Sequence, residues 1–176
     1  MKKTFTPQPI WFTRYESPLG VIFMASTVEG VVELSIGPDE ASFTSKLRGK
    51  YGYQVIEMRR PFLDLFKRLD LYFEGVPVDF DVPVKLSGTA FEIAVWNALK
   101  TIPWGHTASY GRVASMIGRP KAARAVGNAC GRNPIPVIIP CHRVLKANGQ
   151  IGGYTGGVEI KSALLAIEGV LEETFL

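Results

Sequence analysis

The stretch from Asn133 to Val144 constrains the fold more than any other part of the chain, because three prolines interrupt an apolar run. Proline fixes φ and lacks a backbone donor, so this run is not a central strand of a sheet. We expect a stiff, extended segment that crosses the interior and holds Cys141 in a fixed place.

Cys141 is the candidate nucleophile of this segment. A buried cysteine can be no more than a small apolar residue, but His142, Asn133 and a basic neighbourhood favour a reactive thiolate. Neighbouring side chains of an extended chain point to opposite faces, so His142 is expected to reach the thiol by a local turn or through a water.

Basic residues are concentrated in one part of the chain from which acidic residues are absent. No aspartate or glutamate lies between Glu92 and Glu159, whereas the rest of the chain carries four more acidic than basic residues. This asymmetry favours a nucleic-acid-binding face, with a solvated surface of scattered bases as the alternative. The basic residues are Lys100, Arg112, Arg119, Lys121, Arg124, Arg132, Arg143 and Lys146.

The few cysteines and histidines argue against a disulfide framework or a zinc site. Cys130 and Cys141 lie in one segment, so a bridge would close only a short loop. With only His106 and His142 as histidines, we expect no metal ion and no cofactor.

No part of the sequence predicts a membrane span or a leader. No apolar run reaches the roughly 18 residues that a membrane helix needs. Pro7, Gln8 and Pro9 interrupt any apolar region behind Lys2 and Lys3. A cytoplasmic protein is therefore expected, or a nuclear one in a eukaryote.

The residue pattern predicts an α+β fold whose first half is a small antiparallel sheet with helices. Strand-like runs are separated by turn signals, and a later apolar series recurs at helical spacing. We place the domain boundary near residues 84–90, which gives an N-terminal scaffold domain (1–87) and a C-terminal DNA-binding domain (88–176). The predicted elements of the first half are strands at 10–15, 21–26, 31–36 and 54–58 and helices at 38–50 and 62–73.

The second half is predicted to be mostly helical and to contain a helix-turn-helix. A helix from Thr89 to Lys100 is followed by one that Ser109 can cap and by another from Lys121 to about Cys130. Two short helices joined by a tight turn with a glycine are typical of this motif, although many helical hairpins bind nothing.

Arg124 projects from the second of these helices among small side chains. Small side chains let a helix approach a groove closely, where a long cation could enter the base stack. Close helix packing with an exposed arginine explains this face equally well. The small residues are Ala122, Ala123, Ala125 and Gly127.

From about residue 88 to 170, the chain resembles the O6-alkylguanine-DNA alkyltransferases (methylated-DNA–protein-cysteine methyltransferases). Several motifs occur in the expected order and spacing, whereas the first 87 residues resemble the family only in their strand pattern. The motifs are Pro140-Cys141-His142-Arg143-Val144, Ser109-Tyr110, the run from Lys121 to Gly127, Asn133-Pro134, the run from Gly153 to Gly157, and Glu168-Gly169.

The resemblance implies direct-reversal DNA repair by a suicide methyltransferase. An alkyl group moves from O6-alkylguanine in double-stranded DNA to Cys141 after base flipping, with O4-alkylthymine as a further candidate substrate. The resemblance implies that Cys141 is the alkyl acceptor, that His142 is a base acting through a water, and that Glu168 orients the imidazole. It also implies that Asn133 supports the turn, that Tyr110 donates to guanine, and that Lys161 supports the thiolate electrostatically.

The resemblance also implies the DNA and substrate contacts. Arg124 replaces the extruded base, and the protein acts as a monomer, with cooperative assembly along DNA left open. Some relatives hold zinc through Cys and His in the N-terminal domain, but residues 1–87 contain neither. The other DNA-binding candidates are Lys121, Ala122, Ala123, Ala125, Gly127 and Arg132, and the guanine pocket candidates are the Val144 carbonyl, Tyr154, Thr155 and Gly156.

Two other classes of protein remain as alternatives. A cysteine hydrolase would explain Cys141 and His142 but would leave the basic helix pair without a role. A helix-turn-helix regulator would explain the helices but not the cysteine. Since an alkyl group on sulfur is a thioether, which water does not cleave, the alkyltransferase hypothesis predicts one repair event per molecule.

Overall fold

In a computed structural model that describes residues 9–51 and 54–171, four strands form the sheet of the first half. They are β1 (Ile10–Ser17), β2 (Gly20–Thr27), β3 (Gly30–Ile36) and β4 (Val55–Glu57). Their order in the sheet is β3-β2-β1-β4. Residues 1–8, on which the prediction about a leader partly rests, lie outside the described residues. β1, β2 and β3 pair antiparallel as predicted, and β4 adds to the other edge of β1 in parallel.

Two helices accompany this sheet. Helix α1 (Glu40–Tyr51) buries Phe43 and Leu47 in a cluster with β1, β2 and β3 side chains. Helix α2 (Leu63–Phe73) follows a 3-10 turn that contains Pro61, and its buried face joins the main core. The predicted helical spacing of the apolar residues is therefore confirmed.

The connection after α2 runs along the start of β3. Val31 N donates to Pro83 O at 2.9 Å, and Lys85 N donates to Val31 O at 2.9 Å. Gly30 has φ +131°, and a Cβ there would lie 2.4 Å from Pro83 O. Only glycine allows the two chain segments to approach this closely.

Residues 88–171 supply four α-helices and a two-stranded sheet. Thr89 and Glu92 form a capping box at the start of the first helix, and Ser109 caps the second by accepting from Arg112 N. The helices are α3 (Ala90–Lys100), α4 (Tyr110–Met116), α5 (Ala123–Gly131) and α6 (Val158–Ile167), and the strands are β5 (Ala108–Ser109) and β6 (Val144–Leu145).

One cluster of buried side chains spans both halves of the chain. It joins Met24 and Leu34 of the sheet to Leu69 of α2, Trp96 of α3 and Leu164 of α6. The division into residues 1–87 and 88–176 as separate domains stays a prediction. Over the described ranges, no helix has the length and apolar character to span a membrane.

Candidate active site

The segment from Asn133 to Val144 is buried but is not extended along its length, which corrects our expectation. Ile139 N donates to Ile135 O at 2.9 Å, Val137 has φ +74°, and Cys141 begins a 3-10 turn. The prolines exclude a regular strand, so buried backbone groups find their partners in tight local turns instead.

Asn133 connects this folded segment to the thiol. Its Nδ2 donates to Ile139 O at 2.7 Å and to Cys141 Sγ at 3.1 Å, while its Oδ1 accepts from Ile135 N at 3.0 Å. A single side chain therefore fixes the shape of the turn and the position of the sulfur.

Two cavities meet at Cys141, and 5% of the surface of this residue is exposed. The first, of about 300 Å³, opens between the helix pair and the loop before α6. The second, of about 390 Å³, extends to β3 and α1, where Lys46 and Lys50 line it. The residues that line the first cavity are Tyr110, Gly127, Cys130, Gly131, Cys141, Gly153, Tyr154 and Thr155.

Burial raises the pKa of the Cys141 thiol, against the effect expected from its basic neighbourhood. The hydrogen bond from Asn133 and the charge of Lys161 act in the opposite direction but do not outweigh burial. The nearby Tyr154 hydroxyl also favours the thiolate. The sulfur therefore rests as a thiol and needs a base.

His142, Glu168 and Arg143 form a buried network directly after the cysteine. His142 Nε2 lies 2.6 Å from Glu168 Oε1, and Arg143 Nε donates to Glu168 Oε2 at 2.8 Å. Burial alone would raise the pKa of Glu168, but hydrogen bonds from His142 and Arg143 and the charge of Arg143 lower it to about 2. Glu168 is therefore a carboxylate.

The carboxylate determines which nitrogen of His142 can accept a proton. Since a carboxylate only accepts hydrogen bonds, the neutral imidazole carries its proton on Nε2. Burial lowers the pKa of His142, which keeps the ring neutral. Nδ1 is buried and has no hydrogen-bond partner in residues 9–51 and 54–171, so His142 does not bind the thiol directly.

Lys161 holds two backbone segments together beside the thiol. Its buried Nζ donates to Val144 O and to Ile151 O, each at 2.6 Å.

Val144, a candidate pocket residue, is itself fully buried and is not among the residues lining either cavity. Gly156 lines only the second cavity, whereas Tyr154 and Thr155 line both.

The helix pair borders the first cavity. Tyr110 starts α4, and its ring lies against Gly127 of α5, where a Cβ would be 3.7 Å from the ring. Arg124 is exposed on α5. The remaining candidates on or next to this helix are the exposed Lys121 and Ala125 and the half-buried Ala122 and Ala123.

Two of the basic residues counted toward the nucleic-acid face have acidic partners. Arg132 is 69% exposed but pairs with Glu92 at 2.9 Å. Arg143 is buried against Glu168 and cannot contact DNA from that position. A count of charges along the sequence does not distinguish these pairs from free surface cations.

Tyr72 is a member of the site that the sequence did not reveal. It lies on α2, and its Oη donates to Glu168 Oε1 at 2.8 Å. Tyr72 was not among the residues singled out in the sequence, and its separation of 96 positions from Glu168 hides the contact. The role of Arg143 was also missed, although its place next to His142 in the motif was a usable signal.

Comparison with known proteins gives matches along nearly the whole chain. Residues 10–86 match the 6-O-methylguanine DNA methyltransferase ribonuclease-like domain, and residues 90–170 match the DNA binding domain of the same family. A methylated-DNA–protein-cysteine methyltransferase of Methanosarcina acetivorans is 42% identical over 91% of this chain and 99% of its own length. One of Mycolicibacterium paratuberculosis is 39% identical over 90% of this chain and 92% of its own length.

Solved structures agree with the sequence matches. The Mycobacterium tuberculosis OGT in complex with DNA superposes with a TM-score of 0.79 at 39% identity, covering 90% of this chain and 92% of that one. The O6-methylguanine-DNA methyltransferase of Pyrococcus kodakaraensis gives a TM-score of 0.67 at 29% identity, covering 92% of this chain and 99% of that one.

Proposed function

Because the chain belongs to the 6-O-methylguanine DNA methyltransferase family and repairs alkylated DNA by direct reversal, we propose that Cys141 is the residue that accepts the alkyl group. The observation that carries this proposal is the placement of the Cys141 sulfur at a cavity bordered by the helix pair, next to the buried His142–Glu168 pair.

The chemistry is a displacement at a saturated carbon. The Cys141 sulfur forms a bond to the alkyl carbon while the bond from that carbon to guanine O6 breaks and its electron pair stays with the base. Tyr110, at the cavity wall, donates toward the guanine and offsets the charge that develops on it. The products are a thioether on the protein and a guanine anion, which takes up a proton at N1 from solvent and becomes guanine.

His142 takes the proton that the thiol must lose. Its Nδ1 is the free acceptor of the ring, and a water is the carrier between the sulfur and this nitrogen. The imidazolium that forms is stabilised by Glu168 at Nε2. Asn133 keeps the sulfur in place through its 3.1 Å hydrogen bond.

Double-stranded DNA containing O6-alkylguanine is the substrate we propose, bound by a monomer through α5. The target atom is hidden in the duplex, so the nucleotide must leave the stack before the sulfur can reach it. The small residues of α5 let the helix approach the groove, and exposed Arg124 fills the position that the base vacates. O4-alkylthymine is a further candidate substrate for the same cavity.

Single turnover is the first expected outcome. When increasing amounts of protein are added to excess methylated duplex, the number of repaired lesions should rise linearly and reach one per protein molecule, because water does not cleave the thioether and the thiol is not regenerated. The measurement is the amount of O6-methylguanine left in the DNA at completion. Several lesions repaired per molecule would contradict the proposal.

Arg124→Ala is expected to slow repair of duplex DNA about tenfold or more, because the flipped base loses the side chain that compensates its unstacking. Reaction with free O6-benzylguanine, which needs no flipping, should keep its rate. The matched control is Arg119→Ala, which removes an exposed arginine from the turn before α5; it should slow duplex repair less than Arg124→Ala does and leave the reaction with the free base unchanged. Equal losses of Arg124→Ala on both substrates would refute this role.

A further inference from the structure

Tyr72 places a hydroxyl of the N-terminal half inside the network that activates the thiol. Its side chain is fully buried, and its Oη donates to Glu168 Oε1 at 2.8 Å and lies 3.4 Å from His142 Nε2. The ring is held edge-on against Phe73 and Trp104, at 5.3 Å and 5.1 Å between ring centroids. The hydroxyl therefore has a fixed position.

We infer that Tyr72 is a positioning residue for alkyl transfer, which adjusts the basicity of His142 by sharing the carboxylate oxygen that faces the imidazole. This inference rests on the proposed function of Cys141 and His142. It gives the N-terminal half a direct part in the chemistry, beyond the scaffold role that the sequence predicted.

The argument depends on how many donors Glu168 Oε1 serves. His142 Nε2 lies 2.6 Å from this oxygen, Tyr72 donates to it at 2.8 Å, and Arg143 Nη2 donates to it at 3.1 Å. Each donor withdraws negative charge from the same atom. The more charge Tyr72 and Arg143 withdraw, the less Oε1 stabilises an imidazolium.

The other charged groups around His142 act in opposite directions. Glu168 favours the protonated ring, whereas the positive charges of Arg143 and Lys161 disfavour it. Tyr72 is neutral, since burial and the Glu168 charge raise its pKa well above the usual value. Its hydroxyl therefore remains a donor throughout the working pH range, and it helps to keep His142 neutral and able to accept the thiol proton.

A purely structural role for Tyr72 makes a different prediction. If its hydroxyl only satisfies a buried hydrogen bond, its removal should lower thermal stability and leave the pH dependence of the reaction unchanged. If it adjusts His142, its removal should let Glu168 stabilise the imidazolium more strongly. His142 would then become protonated, and unable to act as a base, at a higher pH.

The test is the pH dependence of the alkylation rate with O6-benzylguanine for the parent protein and Tyr72→Phe. We expect the acid limb of the Tyr72→Phe profile to move to higher pH by about half a unit or more, the size expected for loss of one hydrogen bond. Tyr15→Phe is the matched control. Tyr15 lies on β1, and its Oη donates at 2.8 Å to Asp70, a carboxylate at another site on α2. Its profile should match the parent.

A second variant keeps the test decisive if Tyr72→Phe does not fold. Replacing Tyr72 by 3-fluorotyrosine keeps the ring and makes the hydroxyl a stronger donor, so the acid limb should move to lower pH. An unchanged profile, or shifts opposite to these, would overturn the role of Tyr72. A parent protein that shows no alkyl transfer would instead overturn the proposed function of Cys141.

Discussion

Cys141→Ala is expected to abolish alkyl transfer completely and to leave the affinity for duplex DNA within about threefold of the parent, because phosphate contacts supply most of that affinity. The substitution removes the nucleophile, and no other described group at the first cavity can form a stable thioether except Cys130. The measurements are transfer of a labelled methyl group from duplex DNA to protein and DNA binding at constant salt.

Cys130→Ala is the matched control for this prediction. Cys130 borders the same two cavities as Cys141, but burial raises its pKa to about 12, and Asn133 donates to the sulfur of Cys141. Its thiol should therefore stay protonated and unreactive, and Cys130→Ala should transfer methyl groups at nearly the parent rate. Transfer by Cys141→Ala, with the label on Cys130, would contradict the assignment of the acceptor.

Glu168→Gln is expected to cost about 3–5 kcal/mol of folding free energy, because it leaves the guanidinium of Arg143 buried without its counter-charge. Both residues of the pair are almost completely buried, so water cannot replace the lost carboxylate. The variant should also slow alkyl transfer, since the imidazolium of His142 loses the anion at Nε2. Denaturant unfolding at neutral pH measures the first effect, and the rate with O6-benzylguanine measures the second.

The acid dependence of stability provides the check on Glu168. The folded state lowers the pKa of this carboxyl from 4.5 to about 2, so its contribution is fully present above about pH 4.5 and is lost as the pH falls toward about 2. This contribution is about 3 kcal/mol. Glu168→Gln should lack this part of the acid-induced loss of stability. Parallel pH curves for the two proteins would contradict the account of the network.

The regular elements could be predicted from the sequence because their signals are local. The alternation and turn residues of β1 to β3 and the apolar spacing of α2 specify elements whose period can be read directly. The edge position and parallel pairing of β4 could not be read, because a three-residue strand carries no information about its partner.

Candidate site residues could be named from the sequence, but Tyr72 and the electrostatics of the site could not. Asn133, Cys141 and His142 belong to one short motif, whereas the contact between Tyr72 and Glu168 joins residues 96 positions apart. The basic neighbourhood favours a thiolate, whereas burial raises the pKa of the thiol, and a count of nearby positive charges does not include the cost of burying the sulfur. For the same reason, Arg143 was counted with the DNA-facing cations although its charge is cancelled in the interior.

The most direct test of the account is to locate the methyl carbon after repair. Parent protein is incubated with a duplex that carries one isotopically labelled O6-methylguanine, and its peptides are analysed by mass spectrometry. We expect a single labelled methyl group on Cys141 and an unmodified guanine in the DNA. Label on any other residue, or label released to solvent while the guanine is restored, would contradict the account.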